Sequence, residues 1–398
     1  MLNHTLLSAE RNIHDTSTTL NAPSTGLKIA TDQPWSVSMQ RLRGGVSDGV
    51  DVVTINNGRM KLDLLPTRGM GVWRGDVDGV PLHWVSPVSN PVHPSWVDPM
   101  RRGGIGWLDG FNELICRCGL GWHGAPANEV RRDAAGKIVS EEFLPLHGRI
   151  ANLPAHDVQV SISEENGGLI SVTGVVDEGC LFGGRLRLTS TLRTQPGSSR
   201  FTVEDVVTNL GSAPAESEML YHCNIGRPFL GDGATFHSAS TEVAPRNARA
   251  VEGLSMWNIY QGPTPGYTEQ VYFSKPVHDE RGYGVGVLCD PDCERAFVVR
   301  FDTSTLPWFT LWKCTQADQD GYVTGLEPGS SFPNPRAFER TNGRVIQLAP
   351  GASVTFRLEF ETVLGRDSVR KLLDEVTAMQ VAVARTIHPA PLPTWCAP

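Results

Sequence analysis

Three polar clusters interrupt apolar, strand-like segments of this chain: His147-Gly148-Arg149, Tyr221-His222-Cys223-Asn224 and Gly325-Leu326-Glu327-Pro328. An imidazole moves protons near neutral pH, and a guanidinium holds oxygens in a fixed fork. The glycine between them lets the backbone approach a bound molecule closely. His222 follows the strand-like run Met219-Leu220-Tyr221. Period two then places Tyr221 and Cys223 on one face, and His222 and Asn224 on the other. A polar pair on one strand face needs partners or a ligand. Glu327 ends an apolar strand, with Pro328 fixing the backbone after it, which suits a general base. Together the clusters point to proton transfer on a small polyhydroxylated molecule.

Other residues suit the wall of such a site. In Gly106-Trp107-Leu108-Asp109-Gly110-Phe111-Asn112-Glu113, aromatic faces sit beside polar tips, the composition that binds C–H surfaces and hydroxyls together. Trp107, Asp109 and Asn112 are candidates there. Trp312, in the strand-like Trp308-Phe309-Thr310-Leu311-Trp312-Lys313, can stack on a sugar face or fill a core. Arg68, in Pro66-Thr67-Arg68-Gly69-Met70-Gly71, either holds hydroxyls or is a surface arginine beside a turn.

His147, His222 and Glu327 have donor types that suit zinc or manganese. They come from three distant segments without metal-ligand spacing, so no cofactor is expected. The glycine pairs do not form a phosphate loop or dinucleotide fingerprint, and no G-x-S-x-G elbow is present. The eight cysteines include no pair of CxxC motifs and read as reduced thiols.

The elements that must position these groups are mainly strands. Arg185–Leu192, Arg200–Val207 and Ser353–Thr362 alternate with period two, and turns rich in Gly, Pro, Asn and Ser separate them. Val345–Leu348 and Ser353–Thr362, joined by Pro350-Gly351, read as a hairpin-like pair. One amphipathic helix is expected from Asp367 to about Ala384, with Val369, Leu372, Leu373, Val376 and Met379 on its apolar side. The Trp-, Gly- and Pro-rich stretch from Leu82 to Pro126 reads as a long ordered loop over one end of the fold. The expectation is an all-β chain: a large antiparallel β-sandwich with few short helices. Residues 1–30 would be an arm or edge element, 31–365 the sandwich, and 366–398 a helix and tail.

The chain has 398 residues and a formal net charge of −8, with no basic stripe, which argues against nucleic acid as a partner. Neither a signal-peptide pattern at Met1-Leu2-Asn3 nor an apolar run of bilayer length is evident, so a cytoplasmic location without membrane contact is expected. The sequence sets no oligomeric state.

The order of motifs resembles one family. Arg68-Gly69, the Gly106–Phe111 loop, His147-Gly148-Arg149, the Phe201–Asn209 strand, Tyr221-His222-Cys223-Asn224, Gly325–Pro328 and Pro350-Gly351 follow one another as in aldose 1-epimerase-like proteins of the galactose mutarotase superfamily. The branch it looks closest to is mostly described as a domain of unknown function. The resemblance spans roughly residues 50 to 365. It implies a large β-sandwich with an open cleft and a sugar as the small-molecule partner. It implies anomer exchange, with Glu327 as base, His222 as acid, and His147 and Arg149 orienting ring oxygens. In the family an Asp between acid and base binds hydroxyls, and Asp232 is the nearby candidate. Two other readings use the same residues: an isomerase, epimerase or lyase acting at a sugar carbon, and a non-catalytic sugar-binding protein.

Overall fold

Alternating apolar residues give this chain two large sheets, stacked so that their inner faces share one core. The computed structural model describes residues 1–27, 29, 34–133 and 135–398. A ten-stranded sheet includes the long meander Leu169–Gly179, Arg185–Thr194, Arg200–Asn209 and Ser353–Leu364. A fourteen-stranded sheet carries the site. Its central order is Gln270–Pro276, Trp308–Thr315, Tyr322–Gly329, Ala215–Ile225, Ile115–Leu120 and Gly71–Val77. Val203, Val207 and Phe360 from the first sheet pack with Tyr221, Cys223 and Leu326 from the second. The β-sandwich expected from the sequence is the fold. Among the described residues no helix is long and apolar enough to cross a membrane.

Leu2–Ser8 pairs with Asp157–Ser163 near one edge of the ten-stranded sheet. The boundary expected at residues 30 and 31 lies outside the described residues. The helix runs Arg366–Val381 and buries Val369, Leu372 and Val376 against the back of the ten-stranded sheet, on Val285, Val287 and Val298.

Two expectations need correction. Ile346–Leu348 does not form a hairpin with Ser353–Leu364. It pairs with Ala215–Ser217 of the other sheet, while Ser353–Leu364 pairs with Arg200–Asn209 and Arg295–Asp302. The Pro350-Gly351 turn therefore crosses between sheets. Buried Asn209 holds that crossing, since its Nδ2 donates to Leu348 O and its main chain bonds Gly351 and Ala352. The Leu82–Pro126 stretch is not wholly loop either. After short helical turns it contains the central strand Ile115–Leu120. That strand is buried on both faces, so its residues do not alternate between apolar and polar.

Arg117 of that strand ties the sheets together. Its guanidinium forks onto Asp205 of the opposite sheet at 2.5 and 3.1 Å, and donates to Ser190 Oγ and to the carbonyls of Gly69 and Met70. Tyr221 donates to the same carboxylate at 2.7 Å. All three residues are buried. Removing one partner strands the other charge, so Asp205→Ala should cost about 3–5 kcal/mol in urea unfolding. The pair Arg117→Met with Asp205→Leu should recover most of that loss. A single variant as stable as wild type would show that the bridge is not a tie.

Candidate functional site

The outer face of the fourteen-stranded sheet, away from the shared core, gathers His222, Asn224 and Glu327. Tyr221 and Cys223 point into the core as period two requires, and His222 and Asn224 point outward. The His222 strand (Ala215–Ile225) pairs antiparallel with the Glu327 strand (Tyr322–Gly329), with Cys223 opposite Leu326 and Asn224 opposite Gly325. That register sets His222 beside Glu327, with His222 Nε2 3.2 Å from Glu327 Oε1. Gly325 leaves the room the carboxylate needs. A Cβ there would lie 2.3 Å from Glu327 Oε1 and 3.1 Å from His222 Cε1.

The tautomer of His222 follows from its other neighbour. Its Nδ1 is 2.5 Å from Asn224 Oδ1. Asn224 Nδ2 already donates to the carbonyls of Glu113 and His222, which fixes the amide orientation and leaves Oδ1 as acceptor. Nδ1 therefore carries the proton, and Nε2 of the neutral ring is a bare lone pair facing Glu327. Glu327 Oε1 has no hydrogen-bond partner among the described residues; His222 Nε2 is its near neighbour by distance alone.

Distance alone suggests an ion pair, but burial opposes it. Removal from water drives His222 down to about 3, helped by nearby His147 and opposed by the Asn224 bond. The same desolvation lifts Glu327 well above the usual carboxylate range; Glu269 adds to the rise and Arg246 opposes it. Burial thus favours the uncharged form of both groups and a proton on Glu327 rather than on His222. The apolar surroundings are visible. Cys116, Cys118, Leu220 and Val323 form the floor, packed with Trp84, Trp107 and Phe111. Phe111 and Trp312 meet the His222 ring at centroid distances of 5.0 and 5.2 Å.

His147 joins this group, its ring 5.6 Å from His222 and 4.6 Å from Trp107. It occupies the left-handed backbone region at φ 61°, a strained position for a non-glycine residue. The next residue has to be glycine. Gly148 has φ 71°, and a Cβ on it would lie 2.2 Å from the carbonyl oxygens of both Gly119 and Trp122. His147 Nδ1 donates to His123 O at 2.8 Å, which leaves Nε2 as acceptor.

The other sequence candidates divide. Trp107 and Trp312 stand in the site, and the buried indole N–H of Trp107 has no partner among the described residues. Arg149 is not with them: it is exposed and lines a separate groove of about 480 Å³ with Trp122, Glu178 and Arg336. The turn at Gly148 sends the two side chains apart. Arg68 is neither a surface arginine nor free for hydroxyls. It is buried, bound to Glu113 at 2.6 Å and to Val92 O, Gly110 O and Asn152. Asn112 is buried and donates to Val88 O. Asp109 is paired with Arg101 and Arg102 at the surface, and Asp232 is exposed. Among the described residues no three His, Cys, Asp or Glu side chains are arranged to hold a metal ion.

Three residues at the site were not expected from the sequence. Glu113 anchors Asn224 by its carbonyl and Arg68 by its carboxylate. Glu269 accepts from the indole of Trp312 at 2.6 Å and pairs with Arg246 at 3.2 Å. Glu269 and Arg246 look like ordinary strand-end charges in the sequence. The pairing of Val271 with Trp312 brings Glu269 to the mouth of the site, and the Arg246 N–H, donating to Val271 O, brings Arg246 beside it.

Residues 47–362 match the family described as a domain of unknown function, DUF4432. A Klebsiella pneumoniae protein that carries the provisional name aldose 1-epimerase is 34% identical, with a TM-score of 0.89 over 98% of both chains. A galactose mutarotase-like protein from Clostridium acetobutylicum has a TM-score of 0.54 at 13% identity, over 82% of this chain and 99% of its own. Galactose 1-epimerase from Lactobacillus acidophilus gives 0.53 at 9% identity, over 83% and 99%. At such identities the likeness is one of fold. Among curated proteins none matches the chain. The chain belongs to the DUF4432 family, and it shares the fold of galactose mutarotase-like proteins that its order of motifs implied.

Proposed function

We propose that the protein interconverts sugar anomers by acid–base ring opening, with Glu327 and His222 as the catalytic residues. The observation that carries the reading is the 3.2 Å approach of a bare imidazole nitrogen to a buried carboxyl group, under aromatic walls that suit a sugar ring. The provisional name of the Klebsiella relative supports it.

The resting pair defines the order of proton moves. His222 Nε2 takes the proton of the anomeric hydroxyl while the Glu327 carboxyl gives its proton to the ring oxygen. The ring C–O bond breaks, and the anomeric carbon becomes a carbonyl. After rotation about the adjacent C–C bond, the ring hydroxyl attacks either face. Glu327 then takes that hydroxyl proton, and the imidazolium returns one to the carbonyl oxygen. This order exchanges the roles implied by the family resemblance, in which Glu327 as base takes the anomeric proton and His222 as acid gives one to the ring oxygen. Each positioned group contributes roughly a hundred- to ten-thousand-fold. That suffices for a reaction that already runs measurably in water. His147 would accept a sugar hydroxyl at Nε2, Trp312 would meet a ring face, and Glu269 with Arg246 would bind hydroxyls at the mouth. No metal or organic cofactor is part of this reading.

Glu327→Gln and His222→Ala should each remove catalysed anomer exchange, read by NMR against the uncatalysed rate, while the protein stays folded. Exchange at the wild-type rate in both would refute the assignment. Deuterium from solvent appearing on a sugar carbon would point to an isomerase instead, because anomer exchange moves only hydroxyl protons.

The same pair sets a pH profile. Ring opening needs neutral His222 and protonated Glu327. The kcat profile should fall near pH 3, where His222 takes a second proton, and again at higher pH, where Glu327, held well above the usual carboxylate range, loses its own. An ordinary carboxylate base and imidazolium acid would give a bell between about 4.3 and 6.5. A kcat/KM that drops through pH 6.5 would contradict the neutral pair.

Gly325→Ala should displace the carboxyl from His222 with little loss of stability, lowering kcat by roughly a hundredfold or more, the share of one positioned group. Wild-type turnover in this variant would show that the 3.2 Å approach is not needed.

A further inference from the structure

The sheet face that carries His222 and Glu327 holds a second buried polar cluster. Glu218, on the His222 strand, and Ser331, just beyond the Glu327 strand, lie on that face and meet there. Ser331 Oγ is 2.8 Å from Glu218 Oε1 and 2.8 Å from His123 Nε2. None of the three is more than 1% exposed. One row, Leu220 opposite Gly329, separates the cluster from the His222–Glu327 pair. It touches none of the groups assigned to proton transfer. Yet the main-chain carbonyl of His123 accepts the Nδ1 proton of His147, and so fixes which nitrogen His147 offers to a ligand. The segment that carries this carbonyl packs tightly. A Cβ on Gly124 would lie 1.6 Å from Asn334 O, and Gly124 O in turn accepts His147 N.

We propose that Glu218, Ser331 and His123 are positioning residues for His147: their hydrogen-bonded chain bolts down the carbonyl that orients it, and the direction of that chain sets how firmly His147 holds a sugar. The proposal rests on His147 as a sugar-binding wall.

A chain of three such groups has two directions. With Glu218 protonated, its carboxyl donates to Ser331, Ser331 donates to His123 Nε2, and the ring proton sits on Nδ1. With Glu218 ionised, Ser331 donates to the carboxylate, His123 Nε2–H donates to Ser331, and Nδ1 is bare. No partner among the described residues forces either state, because His123 Nδ1 and Glu218 Oε2 are both unpartnered. Burial lifts Glu218 to about 8 against the pull of the Ser331 hydrogen bond. Glu339 and Glu216 push the same way, and Arg336 opposes them. Burial and the neighbouring His147 keep His123 neutral, down to about 3. The chain therefore reverses as the pH passes about 8.

Nitrogen-15 NMR of the histidine rings in the whole protein tests the chain itself. The His123 ring proton should move from Nδ1 to Nε2 through that pH, and should stay put in Glu218→Gln. A His123 ring that ignores pH in wild type overturns the proposal, whether or not the protein turns over a sugar. Anomer exchange of glucose and galactose tests its consequence. Ser331→Ala should raise KM roughly fivefold, the scale of one hydrogen bond, with kcat unchanged. It should add nothing in a His147→Gln background. Equal losses in both backgrounds, or a loss in kcat alone, would show a role not exerted through His147. Should Ser331→Ala fail to fold, Glu218→Gln carries the same comparison: wild-type KM should rise as the pH passes about 8 and the variant's should not, and a flat wild-type KM or a rise that persists in the variant overturns the proposal.

Discussion

A neutral imidazole nitrogen and a carboxylate oxygen, 3.2 Å apart and shut away from water, cannot share the space without a proton between them. The rest of the site is arranged around that constraint. Asn224 holds the proton of His222 on Nδ1, so the lone pair has to face Glu327. The carbonyl of Glu113 fixes Asn224, and Arg68 fixes the carboxylate of Glu113. An arginine that looked like a ligand-binding residue thus acts three contacts away from the reacting atoms. Thiols and aromatic rings replace water around the pair, and this makes both charged forms costly.

The sandwich supplies the rigidity. Strands with opposite duties on their two faces meet at the site. Ile115–Leu120 sends Arg117 inward to Asp205 and turns Cys116 and Cys118 outward as the floor. Ala215–Ile225 sends Tyr221 to the same carboxylate and turns His222 outward. The ion pair that joins the sheets therefore also holds the backbone from which the acid–base pair projects. Sites built on strands are held more tightly than sites on loops. His147, which sits on a loop, is held instead by its strained turn and by His123.

Much of this was legible in the sequence. Alternation revealed the meander and the two-faced His222 strand, and helical spacing revealed the C-terminal helix. The family resemblance brought His147, His222 and Glu327 together. What escaped had physical reasons. Ile115–Leu120 is buried on both faces and does not alternate. Residues 346–348 sit next to a hairpin-like turn, yet pair across the sandwich, and only the buried Asn209 explains that. The His-Gly-Arg motif suggested that two neighbouring side chains share a ligand, but the left-handed backbone at His147 and Gly148 parts them. Glu113, Glu269, Arg246 and His123 act through partners far away in sequence, which no local pattern discloses.

The central claim is that Glu327 rests protonated beside a neutral His222, and infrared difference spectroscopy reads this directly. Near neutral pH the wild-type protein should show a protonated-carboxyl C=O band that disappears in Glu327→Gln. A carboxylate band lost in its place would show Glu327 ionised at rest and contradict the neutral pair.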